Sequence, residues 1–165
     1  LNAGNETTTC LLGNGVRLLL EHPDQLALLQ ADPTLIPGAI EEMMRFESPV
    51  TLSGRIAEQE LELGGQKLRK EDMVLLFLAS GNRDPAEYDA PDRFDVTRTH
   101  NHHLGFGTGT HLCAGIQLAR FEAKVAFEFL LPYLGRFELM DDTVVWADNL
   151  NLRGPKHLNL KIHPA

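Results

Sequence analysis

Apolar residues recur at helical spacing in four stretches of the chain. Residues 1–20 form a helical stretch that Gly4, Gly13 and Gly15 weaken. His22-Pro23-Asp24 interrupts it, and Pro23 suits the first turn of a new helix reaching about Gln30, with Leu26, Leu28 and Leu29 on its apolar side. Asp32-Pro33-Thr34 opens a third, whose stripe is Ile36, Ile40, Met43 and Met44 and whose stop is Pro49. The fourth runs from about Ala114 to Leu131 and ends at Pro132. Between Thr51 and Ala79 the period changes. Leu61-Glu62-Leu63 alternates, Gly64-Gly65 turns, and Met73 to Leu78 reads as a buried strand. The tail adds two short strands, Arg136 to Leu139 and Leu158 to Ile162. Asn82 to His103 has little periodicity, and ordered loops of that length tend to carry function. The pattern predicts one mainly α domain with small β-sheets, an α+β fold.

Composition narrows the functional classes. The 165 residues are 43% hydrophobic and 23% charged, ordinary values for a globular chain. The longest apolar run, Met73 to Ala79, is far too short to span a membrane. A formal net charge of −8 argues against nucleic acid, whose phosphates need a basic surface. Cys10 and Cys113 cannot form a disulfide framework, and no secretory signal accompanies them, which places the chain in a reducing, cytoplasmic compartment. The chain begins with Leu1 inside a helical stretch, as a piece of a longer protein would.

Three segments carry candidate chemistry. In Phe106-Gly107-Thr108-Gly109-Thr110-His111-Leu112-Cys113-Ala114-Gly115 the glycines let the backbone pass close to a flat or bulky group. Cys113 precedes a helix, whose positive end favours a thiolate. Such a thiolate is a good axial metal ligand; the alternative is a structural cysteine after a turn. Glu42 and Arg45 lie three apart on one helix face, as an internal pair or a solvated one. In Ala3-Gly4-Asn5-Glu6-Thr7-Thr8 the Thr7 hydroxyl can bond the Ala3 carbonyl and bend the helix, or the segment is an ordinary cap. His100, His102, His103, His111 and Cys113 also fall within 14 residues, which admits a His/Cys zinc-binding module.

The Phe106–Gly115 segment resembles the haem-binding loop of the cytochrome P450 family, F-G-x-G-x-H-x-C-x-G, and the other segments follow in the family's order. The resemblance covers essentially the whole chain, which matches the C-terminal part of a soluble bacterial-type member. It implies that residues 1–165 are the C-terminal haem-binding part of a single catalytic domain. The cofactor implied is haem b (iron protoporphyrin IX), with Cys113 as the iron ligand. Phe106, Gly107, Gly109 and Gly115 would shape the loop, and Arg55 and His111 would meet the haem propionates. Ala3 and Gly4 would open a groove for dioxygen, and Glu6 and Thr7 would be the acid–alcohol pair that relays protons. Glu42-Met43-Met44-Arg45 resembles the family's E-x-x-R. Arg93, in Pro91-Asp92-Arg93-Phe94, would complete an ionic triad with it.

The implied reaction is monooxygenation of a small organic substrate, with electrons from a ferredoxin- or flavodoxin-type donor. Arg120 and Lys124 are candidates for docking that donor. Peroxygenase or isomerase chemistry on the same fold is an alternative, as is a fragment without independent activity. An incomplete helix bundle would expose apolar surface.

Overall fold

Residues 2–141 and 143–164 are described by the computed structural model, with side chains from residue 4 onward. Helix α1 (Asn2–Glu21) is continuous despite its glycines. Burial outweighs propensity, since Leu18 and Leu19 are 1% and 0% exposed. Helix α2 (Pro23–Ala31) starts at its proline and buries Leu26 and Leu29. Leu28, expected on the same side, faces solvent, because it lies about 200° around the helix from Leu26. The Asp32 carboxylate then accepts the Thr34 N–H at 3.0 Å and starts a 3₁₀ turn, Pro33–Leu35. It leads into α3 (Ile36–Phe46), whose predicted apolar stripe is wholly buried.

Strand β1 (Ser53–Ile56) pairs antiparallel with β4 (Met73–Leu76), from Ser53↔Leu76 to Ile56↔Met73. Strands β2 (Leu61–Leu63) and β3 (Gln66–Leu68) make a hairpin through Gly64-Gly65. The expectation of a buried strand from Met73 to Leu78 is corrected. Met73 and Leu75 are exposed on a two-stranded ribbon that covers one face only, and Leu78 belongs to the short helix α4 (Leu78–Gly81).

Helix α5 (Ile116–Leu134) runs past Pro132, which was expected to end it. A proline in the last turn forfeits one backbone bond. Burial of Leu131 and Leu134 holds the turn together around it. Strands β5 (Phe137–Leu139) and β6 (Leu160–Ile162) close the chain as an antiparallel pair, close to where the sequence put them.

Helices α1, α3 and α5 pack on one another around Leu19, Met43, Ala123 and Phe127, each at 0% exposure. The long segment between α4 and the second 3₁₀ turn (Gly109–His111) has no strand or helix among its described residues, yet it is well anchored. Asn82, Tyr88, Phe94 and Val96 hold it to the core, each 2% exposed or less. On the far side of α5 a line of Leu118, Phe121, Val125, Phe129 and Tyr133 faces solvent. No described helix is long and apolar enough to cross a membrane.

Candidate haem site

A cavity of about 330 Å³ lies between α1, the β1–β4 ribbon and the glycine-rich loop. Its size falls within the usual range for ligand pockets of roughly 300–1,000 Å³. Thr7, Thr8 and Leu11 form one wall, Phe106, Gly107, His111 and Cys113 another, and Arg55 and Leu76 line the ribbon side. Five of the residues singled out from sequence besides Cys113 therefore reach one space: Thr7, Arg55, Phe106, Gly107 and His111. Gly4 and Glu6 do not line it; both are exposed on α1. Glu6 is one residue from Thr7, a rotation of about 100° that turns it off the cavity. Its charge acts instead on Cys10, whose thiol pKa is raised by burial first and by Glu6 second. The Ala3 side chain lies outside the described residues.

The backbone fixes the cysteine. The Cys113 N–H donates to the Phe106 carbonyl at 2.8 Å and closes the loop into a hairpin-like bight. Gly107 and Gly109 sit at φ +69° and +63°, a region that side chains resist. At Gly107 a Cβ would also stand 3.0 Å from the His111 carbonyl oxygen. Gly115 caps α5, and a Cβ there would lie 3.9 Å from Cys113 Sγ, so the sulfur rests over the start of the helix. On the ribbon, Arg55 donates to Ser53 Oγ at 2.6 Å and to the Gly54 carbonyl at 2.8 Å. These bonds hold its guanidinium at the cavity edge.

This donor set fits haem. The lining is mostly apolar, as a tetrapyrrole face requires, with one thiol on a wall and an arginine and a histidine for two carboxylates. Backbone with positive φ and no Cβ lies between them.

Behind the loop, an ion network joins α3 to the long segment. Arg45 makes two 2.8 Å bonds to the Glu42 carboxylate, and neither side chain is exposed. Arg45 also donates to the carbonyls of Asn82, Pro91 and Arg93. The expected third member is corrected here. The Arg93 side chain is 66% exposed and its ion pair among the described residues is with Asp95, at 3.6 Å, so Arg93 brings its carbonyl and not its side chain to the network. Arg98 takes the place beside Glu42, at 3.2 Å. The Asp95 N–H and Asn101 Nδ2 also donate to Glu42. Sequence spacing had no hold on Arg98, because an aperiodic loop gives no rule for which side chain turns inward.

Glu41, the neighbour of Glu42 on α3, has a different partner set. It receives two bonds from Arg120, at 2.8 and 2.7 Å, and one contact from His103 at 3.1 Å. Burial raises its pKa, but the His103 and Arg120 bonds outweigh that and hold it at about 2, below the ordinary 4.5. The depressed value means that this carboxylate stabilises the fold fully above about pH 4.5 and loses that contribution as pH falls through about 2. Arg120 stacks on Phe106 at 5.2 Å, so Glu41, Arg120 and His103 brace the glycine-rich loop from α3 and α5. Lys124 pairs with Glu128 at 2.8 Å. Both basic residues expected to dock a donor thus have acidic partners within the chain. The five-residue His/Cys zinc module does not assemble: His103 binds Glu41, while His111 and Cys113 reach the cavity.

Comparison with known proteins places these features in a family. The profile of the family "Cytochrome P450" matches residues 1–151. The chain is 42% identical to 6-deoxyerythronolide B hydroxylase of Saccharopolyspora erythraea, over 98% of the chain and 41% of that protein. It is 42% identical to linalool 8-monooxygenase of Pseudomonas putida, over 99% of the chain and 40% of that protein. Among solved structures, P450BioI in complex with a hexadec-9Z-enoic acid-ligated acyl carrier protein superposes with a TM-score of 0.93 at 39% identity, covering 98% of this chain and 42% of that one. The polyketide synthase cytochrome PksS of Bacillus subtilis 168 gives a TM-score of 0.94 at 36% identity, covering 98% and 42%. The chain spans about two fifths of the length of these relatives.

Proposed function

The chain belongs to the cytochrome P450 family, and from that premise we propose that residues 1–165 are the C-terminal haem-binding part of a monooxygenase catalytic domain. The reaction would insert one oxygen atom of dioxygen into a small organic substrate. Electrons would come from a ferredoxin- or flavodoxin-type donor. When bound, haem supplies the redox and dioxygen chemistry.

The chain's own residues have four tasks. Cys113 would hold the iron through its sulfur, which as a thiolate would donate electron density to it. Arg55 and His111 neutralise the two propionates. Phe106 and Gly107 would shape the stretch of loop that meets the haem. From α1, the Thr7 hydroxyl would hold a water in the cavity and pass protons there, whereas Glu6 is turned off the cavity and has no contact with that space. The convergence of Cys113, from the loop before α5, and Thr7, from α1, on one mostly apolar cavity is the observation that carries this reading. A hydroxylase and a monooxygenase among its relatives support oxygen insertion over isomerisation.

The test is a haem titration followed by absorbance. One haem per chain is expected, and Arg55→Ala should weaken binding by about tenfold or more, the loss of one charge-assisted bond. No haem uptake by the folded chain would overturn the assignment of a haem-holding site to these residues. Unchanged affinity in the variant would remove Arg55 from it.

A further inference from the structure

The fold separates the histidines that the sequence crowds together, and it leaves two of them on the outer surface with a carboxylate. His100 Nε2 is 3.1 Å from Glu87 Oε1, and His102 Nδ1 is 4.0 Å from the same oxygen. The two imidazole centroids are 4.5 Å apart. One donor atom from each of the three residues lies within 4.8 Å of the other two. The geometry points to a surface binding site for a zinc-class divalent transition metal ion, held by Glu87, His100 and His102 and completed by water.

The backbone prepares this site. Exposure alternates from residue 100 to 103, as it does along a strand. Asn101 and His103 turn inward, where they bond Glu42 and Glu41. Their anchoring sends His100 and His102 outward on the same side. Glu87 is placed as firmly. Its N–H donates to the Asp84 carbonyl at 3.1 Å, and the next residue, Tyr88, is buried in the core. Tetrahedral bonds of 2.0–2.1 Å set donor atoms about 3.3 Å apart, so modest side-chain rotation is enough to close the site. Two imidazoles and one carboxylate suit zinc, nickel or copper ions. Calcium and magnesium prefer all-oxygen shells, which this set does not supply.

The site stands apart from the haem chemistry, and its effect is structural. A metal joining residue 87 to residues 100 and 102 clips the loop that carries Arg98. Arg98 bonds the carbonyls of Asp89 and Ala90 in that loop and reaches Glu42 behind the Cys113 loop. Metal that binds the folded chain therefore stabilises it.

The test is a Zn²⁺ titration of the haem-loaded chain in competition with a chromogenic chelator near neutral pH. Unfolding midpoints are measured with and without Zn²⁺. One Zn²⁺ per chain is expected. His100→Ala and His102→Ala, both at exposed positions, should each weaken it by more than about tenfold and remove the Zn²⁺-dependent rise in midpoint. Cys113→Ser, titrated without haem beside the wild type, should bind Zn²⁺ at these residues as the wild type does. Binding that survives the two histidine variants, or that is lost in Cys113→Ser, would overturn the proposal.

Discussion

Glu42 is fully buried and yet charged partners surround it, so its neighbours rank by what they leave behind when removed. Arg45→Ala would take two 2.8 Å bonds from a buried carboxylate, although Arg98 stays beside it, and would leave three backbone carbonyls without that donor, at a cost of roughly 3–5 kcal/mol. Arg98→Ala removes a second cation but leaves Arg45 in place, so about 1.5–3 kcal/mol is expected, the worth of charged hydrogen bonds. Arg93→Ala keeps the carbonyl that Arg45 uses and should change stability by less than about 0.5 kcal/mol. Denaturant unfolding of the three variants checks this order, and an Arg93 effect as large as that of Arg98 would contradict it. The helical pair was legible in sequence because residues three apart on a helix must share a face. Arg98 was not, since it reaches Glu42 across 56 residues of chain from a loop without periodicity.

At the scale of elements, glycines that read as weaknesses in α1 turn out to differ in kind. Gly15 sits where α1 crosses α3 and α5, and a Cβ there would lie 2.5 Å from Phe127 Cζ and 2.6 Å from Met43 Sδ. Both neighbours are at 0% exposure and have no room to yield. Gly15→Ala should therefore cost about 1–3 kcal/mol by overpacking, although alanine is the better helix former. Gly4 has nothing within 4 Å of its Cβ position, and Gly4→Ala should stabilise by up to about 1 kcal/mol. Thermal unfolding of both variants separates the two cases; stabilisation by Gly15→Ala would refute the close crossing. The helices themselves were legible from their apolar spacing. Which glycine meets a neighbour was not, because that depends on helices more than twenty residues apart in sequence. Pro132 failed as a stop for a related reason: the leucines on either side of it are buried by the rest of the fold.

The site exists only at the scale of the whole molecule. Thr7, Arg55 and Cys113 come from α1, β1 and the loop before α5, and no local pattern relates them. The sequence made them legible by resemblance to an ordered set of motifs, whereas Glu6 and Arg93, read from the same motifs, stand away from the places assigned to them. The bracing of the loop by Glu41, Arg120 and His103 left no sequence signal beyond charge. The exposed apolar line on α5 is consistent with a chain that covers about two fifths of its relatives. The central claim is that Cys113 presents a thiolate to haem in the cavity it shares with Thr7. Its most direct test is the absorption spectrum of the haem-loaded, reduced chain with carbon monoxide, beside that of Cys113→Ser. A strongly red-shifted Soret band in the wild type that is lost in the variant is the predicted result. The same band in Cys113→Ser, or its absence from a haem-loaded wild type, would contradict the assignment.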